Sequence, residues 1–75
     1  MKRRKNVVLL IREELGLSQE ALAERVGCHQ SDVSNFERGV RSLSGAQCLA
    51  WMEALAPVLE RLGIDPADLL RLGRE

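Results

Sequence analysis

Five blocks of apolar residues at helical spacing run along this chain, with glycines or short polar turns between them. The first predicts a helix over about Lys5–Leu15, stopped by Gly16 as a left-handed cap. Ser18 then opens a second helix as its N-cap, with Leu17 and Leu22 spaced to close a hydrophobic staple over the first turn. That helix runs through Ala23 to about Val26, and Gly27 turns the chain. A third is expected from about Gln30 to Arg38, ended by Gly39. His29 holds its N-cap position and is a poor capping side chain, so Asp32 is expected to reach back to the open amides and to favour the helix dipole.

A polar stretch, "VRSLS", leads to a fourth helix with Ser44 as N-cap. Cys48, Trp51, Leu55, Val58 and Leu62 follow at alternating spacings of three and four, and Met52 and Leu59 widen the stripe. The stripe keeps its phase through Pro57. Proline lacks the amide of a helical residue and crowds the preceding turn, which leaves two outcomes. Either the helix kinks with the Glu53 carbonyl unpaired, or Pro57 opens a new helix. One long, bent helix ended by Gly63 is the expectation. In "IDPADLL", Asp65 as N-cap, Pro66 at the first helical position, Asp68 at the third and an Ile64–Leu69 staple predict a short fifth helix, about Pro66–Leu72. No linker, repeat or low-complexity segment interrupts these blocks, so residues 1–75 read as a single domain.

Leu, Ala, Arg and Glu dominate and β-branched residues are few, which favours an all-α chain. At 75 residues the core is small and a large catalytic cleft is excluded. Phe36 and Trp51 are the only aromatic residues. Eleven basic residues balance eleven acidic ones, so no overall field draws the chain onto polyanions. The distribution is less even. Residues 1–41 carry eight Lys/Arg against six Asp/Glu, a surplus of two positive charges; residues 42–75 carry three against five, a surplus of two negative ones. The sharpest cluster is the amino-terminal run Lys2, Arg3, Arg4 and Lys5. Alone it is a solvated tail; beside helices that face nucleic acid it becomes an arm on phosphates.

The chemistry-bearing residues are sparse. Cys28 and Cys48, with His29 as the only histidine, form neither a zinc pattern nor a disulfide framework, and no metal or other cofactor is expected. The lone histidine has no triad partners and no glycine-rich phosphate loop exists, so the chain is not read as an enzyme. The apolar run "VVLLI" gives way to charge after five residues, which is too short for a signal peptide or a membrane span. A reducing, cytoplasmic compartment is expected.

Most informative is "HQSDVSNFERG", His29 to Gly39. At about 100° per residue, Val33 and Phe36 share one side of a helix while Ser31, Ser34, Asn35 and Arg38 occupy the other. Gln30, at the first helical position, projects beyond the helix end. Glu37 falls nearer the core than the solvent, where a carboxylate needs a partner. The outward face therefore carries amides and hydroxyls, which suit base edges and phosphates, and Arg38 and Arg41 flank it.

The order of the parts carries a resemblance. "LGLSQEALAERVGCHQSDVSNFERG" resembles the helix-turn-helix of the phage-repressor-like (Xre-type) DNA-binding family, in its "GLSQ" entry, its "ALA", Gly27 in the turn and the closing "FERG". The likeness covers about residues 6–56. It implies a five-helix, lambda-repressor-like DNA-binding domain with an extended or kinked fourth helix. It further implies that Gln30, Ser31, Ser34 and Asn35 read bases, and that Gln19 bonds a phosphate and braces Gln30. Arg38, Arg41 and the backbone amides near Ser44 would hold phosphates, and Arg12 would pair with Glu37.

Several positions depart from the family's pattern. His29 replaces the usual small N-cap, Leu43 stands where a proline is usual, Gly45 weakens the start of the fourth helix, and that helix runs on through "PVLERLG". With Leu9 and Leu10, this adds apolar surface that enlarges the core or builds a dimer interface. Two readings follow. One is a sequence-specific transcriptional regulator, expected to be a repressor, that binds a palindromic double-stranded operator as a homodimer. The other is an antitoxin or adaptor that uses its C-terminal helices, residues 44–72, to grip a protein partner.

Overall fold

The computed structural model describes residues 6–72, and the expected basic arm, Lys2 to Lys5, lies outside them. Five helices follow in order: α1 (Val7–Leu15), α2 (Gln19–Val26), α3 (Gln30–Glu37), α4 (Gly45–Leu62) and α5 (Pro66–Leu70). There is no strand among the described residues.

Each helix starts where a side chain can take up an open amide. Ser18 accepts from the Ala21 N–H at 3.1 Å and so opens α2 as expected. Ser44 accepts from the Gln47 N–H at 3.1 Å while Gln47 Oε1 accepts from the Ser44 N–H at 3.0 Å, a reciprocal box at the start of α4. At α3 only the reach-back is made: Asp32 Oδ2 accepts the His29 N–H at 3.3 Å, in place of a cap from the imidazole. The first helix begins at Val7 rather than at Lys5, because the extended Asn6 is its N-cap and accepts from the Val8 N–H at 2.7 Å.

Two helix ends also fall short of the sequence reading. Arg38 is the C-cap of α3 rather than its last residue. Arg71 leaves helical geometry at φ −111°, so α5 stops at Leu70, although Leu72 is still buried. The fourth helix is one run with a break. Leu55, at φ −125° and ψ 17°, interrupts it two residues before Pro57. The chain thus bends ahead of the proline, where its ring would otherwise crowd the preceding turn.

Between α2 and α3 the turn depends on Gly27, at φ 81° and ψ 38°. An added Cβ there would meet no atom within 4 Å, so the demand for glycine comes from the backbone angle and not from space. The Gly27 and Cys28 amides both donate to the Ala23 carbonyl at 2.9 Å, closing α2.

The core draws on every helix: Val8 and Ile11 from α1, Leu22, Ala23 and Val26 from α2, Val33 and Phe36 from α3, Trp51, Leu55 and Val58 among others from α4, and Leu69 from α5. Phe36 and Trp51 meet edge to face with ring centroids 5.8 Å apart. The Trp51 indole N–H is buried with no hydrogen-bond partner among the described residues, at a cost of about 1–3 kcal/mol that packing must offset. The sequence departures in the C-terminal half do enlarge this core: Leu43 is buried, and its amide donates to the Leu69 carbonyl at 3.4 Å.

Candidate nucleic-acid interface

Helix α3 is held from behind. Val33 and Phe36 have no exposed surface, and α1 and α2 both pack against the helix. On its other side Gln30, Ser31 and Arg38 are exposed while Ser34 and Asn35 are half-buried. The polar residues singled out from the sequence therefore lie along one accessible face, free of apolar side chains. Ser44 stands at the start of α4 and Arg41 in the loop before it, both exposed.

Glu37 meets its partner at the other end of this helix. Arg12 Nε and Nη2 donate to Glu37 Oε2 and Oε1 at 2.5 and 3.3 Å, and Arg12 Nη1 donates to the Leu17 carbonyl at 3.1 Å. The bond to Glu37 raises the Arg12 pKa, against the opposing effect of burial. The carboxylate is then bonded once more, because Gln19 Nε2 donates to Glu37 Oε1 at 2.9 Å. Gln19 Oε1 in turn accepts from Gln30 Nε2 at 2.5 Å.

This relay has a direction. Arginine only donates and an ionised carboxylate only accepts, so the Gln19 amide group must point at Glu37 and its oxygen at Gln30. Gln30 is left with its oxygen and one amide hydrogen for an outside ligand. An adenine edge presents the complement of that pair.

Both arginines that flank the face are engaged. Arg38 Nη2 donates to Asn35 Oδ1 at 2.5 Å. Arg41 Nη1 pairs with Asp32 Oδ1 at 3.2 Å, and its guanidinium lies 6.0 Å from the Phe36 ring centroid. Asp32 therefore serves the start of α3 with one oxygen and the following loop with the other. Helix periodicity gives no sign of these pairings. Gln47, by contrast, was legible in the "SGAQ" spacing of a capping box, and Asn6 as a polar residue just before an apolar run.

A shallow depression beside the turn is lined by Ser18, Glu20, Ala21, Glu24, Cys28 and His29 among others. Cys28 Sγ donates to the His29 carbonyl at 3.6 Å. Burial, and then the charge of Asp32, push its thiol pKa up, which disfavours the thiolate. Burial does the same to Cys48. Among the described residues there is no cluster of three or more His, Cys, Asp or Glu able to hold a metal ion, and no helix is long and apolar enough to cross a membrane.

A helix buried on one side and polar on the other, set by a glycine turn across a second helix, defines a helix-turn-helix unit. The family model described as helix-turn-helix matches residues 8–69, and the chain belongs to this Xre-like family of DNA-binding regulators, which are generally not enzymes. No curated protein and no solved structure matches it.

Proposed function

We propose that this chain is a sequence-specific transcriptional regulator, a repressor, that binds a palindromic operator as a homodimer with α3 in the major groove. The observation that carries the reading is the accessible face of Gln30, Ser31, Ser34 and Asn35, backed by Val33 and Phe36. Those four side chains read base edges. Gln19 braces Gln30, with one amide hydrogen left for a phosphate. Arg38, Arg41 and the amides of the first turn of α4, beside Ser44, hold the backbone on either side. Lys2, Arg3, Arg4 and Lys5 form an arm that adds phosphate contacts.

One short helix reads only a few base pairs, so affinity comes from two half-sites about one helical turn, roughly 34 Å, apart. Selection from a random double-stranded DNA library tests this reading. A two-fold symmetric motif is expected, with binding that weakens steeply as salt rises. Failure to enrich any sequence would overturn it.

A second reading, an adaptor or antitoxin surface on the C-terminal helices, is favoured by Leu49 and Leu70, large apolar side chains that are 64% and 42% exposed. The two roles are compatible, because those residues lie on α4 and α5 and not on α3. A cytoplasmic compartment accords with the DNA-binding role.

A further inference from the structure

We infer that Arg38 is a positioning residue that turns Asn35 into a hydrogen-bond donor, so that the base Asn35 reads is guanine. The inference rests on the DNA-binding reading above and deepens it.

A free asparagine on a recognition helix pairs with adenine, because its oxygen meets the N6 amino group while its amide meets N7. Asn35 is not free in this way. Its Oδ1 accepts from Arg38 Nη2, and a guanidinium has nothing but donors to offer. The carboxamide can satisfy Arg38 only with its oxygen turned along the helix towards that residue, and the reverse orientation would set donor against donor. What Asn35 then presents outward is its Nδ2 group.

Guanine offers acceptors alone at its major-groove edge, N7 and O6, whereas adenine sets a donor beside its acceptor. An outward Nδ2 suits the first and clashes in polarity with part of the second. The two residues lie three positions apart on α3, where neighbouring side chains share a face. Removal of water in a groove strengthens such a bond.

Gln30 provides a contrast within the same helix. One of its amide hydrogens is spent on Gln19 Oε1, which leaves its oxygen free to accept. The two carboxamides of α3 are thus fixed by partners of opposite kind: Gln30 keeps its oxygen and one amide hydrogen for a base, whereas Asn35 turns its amide group outward.

The test is selection of random double-stranded DNA by the full chain and three variants, Asn35→Ala, Arg38→Met and Arg38→Lys. Asn35→Ala marks the base pair that Asn35 contacts, as the position whose preference disappears. At that position the unaltered protein should favour guanine over adenine by about tenfold. Arg38→Met should bring the two bases towards parity there and leave preferences elsewhere intact, while lowering affinity for all sequences. Arg38→Lys keeps a donor-only cation and should retain guanine. An A·T pair at the marked position, or a G·C pair that persists in Arg38→Met, would overturn the inference and leave the DNA-binding reading standing. If the unaltered protein enriches no sequence, both fall.

Discussion

Asn6 and Phe36 lie thirty positions apart and are joined by one side chain that works in two directions. Asn6 Nδ2 donates to the Phe36 carbonyl at 2.9 Å while its Oδ1 accepts from the Val8 N–H at 2.7 Å. The start of α1 is thereby pinned to the end of α3. Asn6→Ala loses a helix cap and the tie to the Phe36 carbonyl, which keeps only its bond from the Gly39 N–H at 3.1 Å, and should cost about 1–2 kcal/mol. For a chain of this size that lowers the melting temperature by roughly 4–16 °C, which thermal unfolding would register. A shift below about 2 °C would contradict the double role.

Arg12 and Glu37 make a different prediction. Their side chains are 24% and 12% exposed, so the pair is partly screened. Arg12→Ala leaves Glu37 without its cation and the Leu17 carbonyl without its donor, at a cost of about 2–3 kcal/mol. Replacing both partners with methionine should recover most of that loss, because no charge is then stranded. The same double variant deprives Gln19 of its acceptor. Base preference at the Gln30 position should relax even where stability is regained, which separates the pair's part in folding from its part in orientation. Unfolding in urea and library selection read the two effects independently.

Pro57 is expected to behave unlike a proline that breaks a straight helix. The chain has already left helical geometry at Leu55, and the proline's fixed φ suits the turn that follows. Pro57→Ala should therefore lower stability by about 0.4–1 kcal/mol, through added freedom of the unfolded chain. A gain of about 3 kcal/mol would mean that the ring was straining the helix.

Alkaline pH should weaken the fold through its two thiols. Burial raises both above the ordinary range, so the folded chain keeps protons that the unfolded chain releases. Their contribution is whole below the usual thiol pKa of roughly 8.5 and is lost as pH rises through the folded values. A Cys28→Ala, Cys48→Ala variant should show a shallower fall in melting temperature between about pH 8 and 10. Iodoacetamide should label Cys28 more slowly than a free thiol at neutral pH. Asp32→Asn should speed that labelling, since the aspartate charge is the second cause of the shift.

The parts of this molecule that repeat were legible in its sequence, and the parts that depend on a single contact were not. Val33 and Phe36 announced the hidden side of α3 by their spacing, and the same wheel set Glu37 too close to the core to stand alone. The residues of the outward polar face followed as what remained. Spacing says nothing, however, about where a short polar side chain will turn. Asp32 to Arg41 and Asn35 to Arg38 are settled by rotamers and by the course of a loop. The helix break at Leu55 was foreseen in kind but not in place, because the proline that marks it shows its effect further back along the chain. The unpartnered Trp51 indole left no trace in the pattern at all, since an apolar stripe records burial and not the satisfaction of a lone N–H.

The hydrogen bond from Leu43 to Leu69 has a mechanical side. It ties the final helix to the loop that emerges from α3, and the Leu72 carbonyl would lie 3.4 Å from a Cβ at Gly39, the residue on which that loop swings out. A load applied at α5, by a fused tag or a second protein, is therefore passed to the loop at the end of α3, the helix that carries the outward polar face. The tail of the fold is a lever on its fingertip.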